Sequence, residues 1–464
     1  GVQTCALPIL SMKFWPGYHF RPREHWVNDP NGLTEYKGTY HLYYQYNPHG
    51  DTWGDIHWGH ATSADLTHWQ ERPVAMRPCT EKGEIHCFSG SACKLRDGKP
   101  VFYYTSVGEE QAGRGCRDGA EQWMAFPSPD MDTLIQTDAY AMRAEMHGGR
   151  DVREWRDPCV IPYHDGYLMV LGGRIDNAHG ACLLYTSEDG LHFRYHSVLA
   201  EDTTGQDESW ECPNFFPLGD KYVMFYSPYR EVRYLLGDLT KDLRFIPCAS
   251  GVLDPSAREG FYAPQTFEDE QGRRIIIGWS PDEARGTWQG IQGWNGCFTL
   301  PKELYIENNT LKMRTLPELQ QLKEAYLAGE GELLPRQVGE QFVLTVDDHL
   351  NAGDCVEADV LCSADGKTFT RVRVTAEGDV TILREHSTSF AGVHTTPISR
   401  KIALPDGRLH LELYVDHSII ELNCNGEWST ARVYPDTDDG FAAVRTKGTY
   451  RIEKMRNIKE DASR

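Results

Sequence analysis

Five times along the first part of the chain, a turn built on Gly or Asp gives way to a short apolar and aromatic run. The segments are Lys37–Tyr44, Asp97–Tyr104, Asp165–Leu171, Asp220–Tyr226 and Gly272–Trp279. Their turn residues fall at 38, 98, 166, 220 and 272, so the units are 52 to 68 residues apart. A weaker echo follows the first four runs at Ser63-Ala64-Asp65, Ser128-Pro129-Asp130, Ser187-Glu188-Asp189 and Gly237-Asp238. Irregular strand-rich units of similar length predict the blades of a β-propeller. A sandwich also has many short strands, but gives no reason for five units of like size. Beyond them, Thr315-Leu316-Pro317-Glu318 has the form of a capping box, with Leu319, Leu322 and Tyr326 on one helical face and Gly329 as the stop. Period-two alternation then takes over at 341–346, 355–361, 369–374 and 409–415, which predicts an antiparallel sandwich. The expected fold is all-β: a five-bladed β-propeller over 12–314, a linker helix over 315–332 and a C-terminal β-sandwich over 333–464.

The repeat makes a chemical prediction. Nine residues before each turn position stand Asp29, Ser89, Asp157, Glu211 and Ala263. The innermost strands of a propeller line its central channel, so these positions should ring one mouth of it. Three acids brought together there repel one another when ionised, and at least one pKa should rise. Asp29 lies in the turn-rich stretch His25-Trp26-Val27-Asn28-Asp29-Pro30-Asn31-Gly32, which by itself could be an Asx-capped turn.

Composition narrows the partners. The net charge of -21 and the absence of basic runs exclude nucleic acid and anionic membranes. No apolar stretch approaches the ~20 residues needed to span a bilayer. Twelve Trp and 23 Tyr suit a site lined with aromatic faces, as carbohydrate binders have. The 13 cysteines show no CxxC pair or zinc-ligand spacing, so no metal is expected, and His57-Trp58-Gly59-His60 reads as structural. Scattered thiols fit a reducing, cytoplasmic location. Gly1 to Ile9 reads as a translated adapter oligonucleotide, and residues 1–11 are set aside as a non-native leader.

Paired carboxylates flanking a bond are the usual equipment of glycoside hydrolysis. Trp26, Asn28, Gln45, Trp53, Phe88, Ser89 and Arg156 all fall near the inferred mouth and supply sugar-facing rings and hydroxyl-orienting amides and cation. The residues alone therefore point to a glycosidase on a propeller.

The chain also resembles glycoside hydrolase family 32, the invertases and fructanases. The likeness is carried in order by Trp26-Val27-Asn28-Asp29-Pro30-Asn31-Gly32, Gln45-Tyr46-Asn47-Pro48, Phe88-Ser89-Gly90-Ser91, Arg156-Asp157-Pro158, Trp210-Glu211-Cys212-Pro213, Phe261-Tyr262-Ala263-Pro264-Gln265 and Gly293-Trp294-Asn295-Gly296. In the second domain it is carried by Val415-Asp416-His417-Ser418-Ile419-Ile420-Glu421. The resemblance implies a retaining β-fructofuranosidase acting on sucrose, sucrose phosphate or fructans. In it Asp29 is the nucleophile, Glu211 the acid/base and Asp157 the transition-state stabiliser. Trp26, Asn28, Gln45, Trp53, Phe88, Ser89, Arg156 and Trp279 would bind a small-molecule or oligosaccharide fructoside, with no cofactor, in a monomer or homodimer. Val27, Asn214 and Asn295 depart from the residues common in the family, and the segment before Phe261 is longer; these changes are expected to shape the leaving-group side. A sugar-binding propeller would have no use for three acids, whereas a fructosyltransferase would share the whole machinery, and the sequence leaves that alternative open.

Overall fold

The computed structural model describes residues 13–108, 120–176, 178–291 and 293–458; the leader at 1–11 lies outside them. Among the described residues, five antiparallel sheets of four or five strands follow one another in chain order. Their innermost strands are His25–Tyr36, Glu84–Lys94, Val152–Tyr163, Glu211–Leu218 and Tyr262–Glu268. The five apolar runs read from the sequence are the second strands, Thr39–Asn47, Pro100–Gly108, Gly166–Ile175, Lys221–Ser227 and Arg274–Ser280. These are buried on both faces between neighbouring blades, which is why they read as continuous rather than alternating runs. The ring is closed by a short parallel pairing, His25 against Trp294 and Trp26 against Asn295, which adds a piece of late chain to the first blade.

Each innermost strand carries a bulge near its start, where two residues oppose one. The pairs Asn28-Asp29, Phe88-Ser89, Asp157-Pro158, Cys212-Pro213 and Ala263-Pro264 lie opposite Gln45, Thr105, Leu171, Tyr226 and Gly278. A bulge re-aims side chains and sharpens the local twist. Asp157, Cys212 and Ala263 accordingly adopt left-handed φ of 66°, 47° and 45°. In the second blade the close approach demands glycine, since a Cβ on Gly90 would lie 1.9 Å from the Tyr103 carbonyl oxygen. The three acids are thus neighbours in the ring rather than equivalents. Asp29 is the second residue of its bulge, Asp157 the first, and Glu211 immediately precedes one.

The Ser/Thr-x-Asp echoes are turns joining the third strand of a blade to its outermost strand. The hydroxyls of Ser63, Ser128 and Ser187 donate to Asp65, Asp130 and Asp189 at 3.1, 2.5 and 3.0 Å. In the fourth blade the equivalent is Thr240-Lys241-Asp242, with Thr240 Oγ1 donating to Asp242 at 2.7 Å, and not Gly237-Asp238, which belongs to the strand Val232–Leu239.

The linker helix is not formed. Pro317–Leu322 makes a 3₁₀ turn whose N-cap, Leu316, has no side-chain cap, and Lys323–Glu330 is a β-strand. That strand pairs with Thr449–Met455 and so belongs to the sandwich. Leu319 and Leu322 are buried while Tyr326 is exposed. The i, i+3 spacing satisfies a 3₁₀ turn as well as an α-helix, and sheet pairing beyond it takes the rest of the segment.

Two six-stranded sheets form the sandwich, around a core that includes Phe342, Leu344, Val360, Leu411, Leu413 and Ile420. A second apolar cluster runs unbroken from the propeller (Phe215, Phe225, Trp279, Leu304) into the sandwich (Val343, Tyr414, Trp428). The signature Asp416-His417-Ser418-Ile419-Ile420-Glu421 docks the two domains. Asp416 accepts from the backbone N–H groups of Gly17, Tyr18 and His19 at 2.7, 2.8 and 2.9 Å. Ser418 Oγ donates to the Phe14 carbonyl at 2.6 Å. Glu421 accepts from Leu300 N–H at 2.7 Å, lies 2.9 Å from His19 Nε2 and pairs with Lys302.

Candidate functional site

At one mouth of the propeller channel is a pocket of about 280 Å³. All eleven residues expected at the site line it: Asp29, Asp157 and Glu211, with Trp26, Asn28, Gln45, Trp53, Phe88, Ser89, Arg156 and Trp279. Two more that the sequence does not assign to the site, Arg258 and Tyr262, complete the wall. Tyr262 directly precedes the fifth bulge, as Glu211 precedes the fourth, so the repeat holds a signal for it. Arg258 lies in an aperiodic loop and has none.

The three acids are held differently. Asp29 is gripped by neutral donors: Ser89 Oγ donates to its Oδ2 at 2.5 Å and Asn28 Nδ2 to its Oδ1 at 3.1 Å. A chain of amides sets those donors, since Asn28 Nδ2 also donates to Gln45 Oε1 at 2.8 Å, and Gln45 Nε2 donates to Ser89 Oγ at 2.7 Å. Trp26 Nε1 donates to Asn28 Oδ1 at 2.7 Å, fixing the amide's orientation. Asp157 is almost fully buried, with its side chain 4% exposed, and its Oδ2 accepts from Cys212 N–H at 2.9 Å. The Cys212 sulfur lies between two acids, 3.3 Å from Asp29 Oδ2 and 3.5 Å from Asp157 Oδ2. Glu211 sits further out at 19% side-chain exposure, between Arg156 Nη2 at 2.8 Å from Oε1 and the Tyr262 hydroxyl, which donates to Oε2 at 2.7 Å. Arg156 also donates to the Tyr229 hydroxyl at 2.7 Å.

Asp157 and Asp29 are raised, as expected of at least one acid here, with burial the larger cause and neighbouring charge the smaller. Burial pushes Asp157 up to about 7; Arg156 opposes the rise, while the charges of Asp29 and Glu211 add to it. Asp29 is also raised, first by burial and then by Glu211, against the hydrogen bonds from Ser89 and Asn28. Burial likewise pushes the Cys212 thiol well up, so beside these acids it is held as a neutral SH.

Rings line the rim. Trp53, 53% exposed, packs against Phe88 with centroids 6.2 Å apart, and Trp26 meets Trp279 edge to face at 5.8 Å. His57 and His60 do not converge: His57 Nδ1 faces the Asp55 carbonyl at 2.7 Å, while His60 lies 3.0 Å from His41 and stacks on Tyr43.

The departures at Val27, Asn214 and Asn295 do not line the pocket. Asn214 stitches the fourth and fifth blades, donating to the carbonyls of Cys212 and Pro264 (3.3 Å each) and accepting from Thr266 N–H at 3.0 Å. Val27 is fully buried, and Asn295 donates to the Asp51 carbonyl at 3.2 Å. The expected role of these three at the leaving-group side therefore gives way to structural ones.

No helix among the described residues is long and apolar enough to cross a membrane. Comparison with known proteins agrees with the geometry. The family model described as the glycosyl hydrolases family 32 N-terminal domain matches residues 19–317, and its C-terminal counterpart matches 312–459. The chain is 29% identical over 450 residues to a sucrose-6-phosphate hydrolase of Escherichia coli, covering 92% of this chain and 90% of that one. It is 32% identical over 371 residues to a β-fructofuranosidase, insoluble isoenzyme 1, of Oryza sativa subsp. indica, covering 73% of this chain and 62% of that one. Among solved structures, a β-fructofuranosidase of Bombyx mori superposes with a TM-score of 0.79 at 26% identity, covering 96% of this chain and 95% of the other.

Proposed function

The chain belongs to family 32 of the glycosyl hydrolases, and on that premise we propose that it removes terminal β-fructosyl residues by double displacement with retention. The observation that carries this reading is the contrast between Asp29 and Glu211 in one pocket. Asp29, half-buried, is fixed by two neutral donors and free of any cationic partner among the described residues, as suits a carboxylate that must attack an anomeric carbon. Glu211, half-buried as well, is held instead by a cation and a phenol, and its 19% exposure leaves it within reach of a departing sugar oxygen and of water. Its hydrogen-bonded partners Arg156 and Tyr262 fix its direction.

In the first step Asp29 bonds to the anomeric carbon of the fructosyl unit while Glu211 gives its proton to the leaving oxygen. In the second, Glu211 takes a proton from water, which attacks the same carbon and releases Asp29. Asp157, buried beside both, accepts from fructosyl hydroxyls and strengthens those bonds as positive charge develops on the ring. The rims of Trp53, Phe88 and Trp279 supply faces for sugar C–H surfaces. For its compartment, the described cysteines, none of which is in a disulfide, support a reducing cytoplasm; thiol titration under denaturing, non-reducing conditions tests this, and several protected pairs would overturn it.

The test of roles uses leaving-group dependence. General acid help is typically worth 10²–10⁴-fold and matters most for a poor leaving group. Glu211→Ala is expected to lose about that much on sucrose but far less on an activated aryl β-fructoside, and added azide should then yield a β-fructosyl azide. Equal losses on both substrates with no azide product would remove Glu211 from the acid/base role.

A further inference from the structure

The loop before the fifth blade, 255–261, is held from the second domain. At its start, buried Asp254 accepts from Ser256 Oγ at 2.5 Å and from Thr430 Oγ1 of the sandwich at 2.8 Å. Near its end Glu259 pairs with Arg384, a fully buried sandwich arginine, and with His394 at 3.1 Å. Between these anchors Ala257 is forced to a left-handed φ of 51°. Arg258, next along, turns the other way and lines the pocket. Its guanidinium lies 5.8 Å from the ring centroids of both Tyr262 and Trp279. Glu283 takes Nε at 2.7 Å and also Nη2, and no described residue accepts from Nη1.

Which part of a substrate meets Arg258 follows from Glu211. Taking the fructosidase reading as given, the oxygen that leaves must lie at Glu211, and the sugar attached to it must lie against Glu211's outer neighbours. Tyr262, bonded to Glu211, has the Arg258 guanidinium 5.8 Å from its ring centroid. Asn28, Gln45 and Ser89, which line the same pocket, gather instead around Asp29, where the fructosyl unit must lie.

We propose that Arg258 is the leaving-group contact of this enzyme, that the sandwich positions it through Glu259 and Arg384, and that it selects an uncharged sugar as leaving group. Selection follows from charge. Both guanidiniums lining the pocket already carry a carboxylate, Arg156 with Glu211 and Arg258 with Glu283. A phosphate on the leaving sugar would find no uncompensated cation, since Glu283 already neutralises Arg258. A hydroxyl needs only the free Nη1 edge.

The experiment compares sucrose, a fructosyl-extended trisaccharide and sucrose 6-phosphate on the wild type and on three variants. The wild type should prefer sucrose to its 6-phosphate at least tenfold in kcat/KM. Arg258→Met should raise KM for sucrose about tenfold while inhibition by free fructose stays within twofold. Glu283→Gln, which leaves the cation unpaired, should move the sucrose-to-phosphate preference at least threefold toward the phosphate. Arg384→Met should raise KM for sucrose with little change in kcat, and Arg384→Lys should recover most of that loss. A wild-type preference for the 6-phosphate, or an Arg258→Met variant that loses fructose inhibition as badly as sucrose binding, would overturn the inference. A wild type that releases fructose from none of these substrates would instead overturn the fructosidase reading itself.

Discussion

Two sets of buried acids sit in this molecule, and they behave in opposite ways. At the channel mouth Asp29 and Asp157 are raised above the ordinary carboxylate range. At the seam between the domains Asp416 and Glu421 are buried still more completely yet lowered: burial works against their charge, but His19 holds Asp416 down, and Lys302 with His19 holds Glu421 down. His19 is itself raised, because the two acids outweigh its own burial. Burial is common to both places, so burial does not decide the outcome. The counter-charge does. The seam provides a cation for each acid and becomes a joint; at the mouth Arg258 is taken by Glu283, so Arg156 alone serves three acids and leaves them poised to exchange protons or attack.

The sharpest way to break this comparison is to remove one acid from each place. Asp29→Ala should lower kcat by at least ~10⁴-fold on every fructoside, since it removes the nucleophile. Its melting temperature should change little, because relief of a disfavoured charge offsets the bonds lost from Ser89 and Asn28. Glu421→Gln should do the reverse, leaving the chemistry of any folded fraction nearly intact while costing about 3–5 kcal/mol, because Lys302 is left buried without its charge. Denaturant unfolding of both variants checks the pair; a destabilised Asp29 variant beside an undamaged Glu421 variant would refute the division.

A smaller effect sharpens it by pH. The Asp157 pKa is raised by folding to about 7, so the folded protein binds a proton that the unfolded chain has already released. Stability from this group is full below the unfolded pKa of about 4, declines as pH rises toward 7, and is flat above it. Asp157→Asn removes that dependence. The variant should therefore melt a few degrees above the wild type at pH 8, with the advantage shrinking as pH falls to 4, while its activity is strongly reduced. A melting difference that does not change with pH would mean Asp157 is ionised throughout.

Much of this is legible in the chain, for identifiable reasons. The second strands of the blades announce themselves because both faces are buried and a turn precedes each. Asp29, Asp157 and Glu211 stand out because the distance from bulge to turn is nearly constant from blade to blade. The constancy is imperfect by up to two residues, and only the register of the bulges shows that the three acids occupy neighbouring rather than equivalent positions. What escapes is decided by tertiary pairing. Leu319 and Leu322 have a spacing shared by two kinds of turn, and the strand that claims Lys323–Glu330 is met only at Thr449–Met455. Arg258 depends on a grip from Arg384 and on Glu283, neither of which has any local signal. Asn214 is expected near the leaving group because it follows Glu211 closely, yet three residues along a bulged strand carry it into the wall between blades.

The bond between Asp416 and the backbone of Gly17, Tyr18 and His19 joins residues 397 to 399 positions apart. A ribosome adding about 5–20 residues per second needs roughly 20–80 s to cover that distance. For that interval the nascent segment leading into the first blade lacks the acid that will hold it, and the parallel strand at Trp294-Asn295 that closes the ring arrives only late. The propeller's beginning is therefore among the last parts to be fastened. Stalling or truncation before Asp416 should leave a chain whose blades are complete but whose first segment is open to proteases and chaperones.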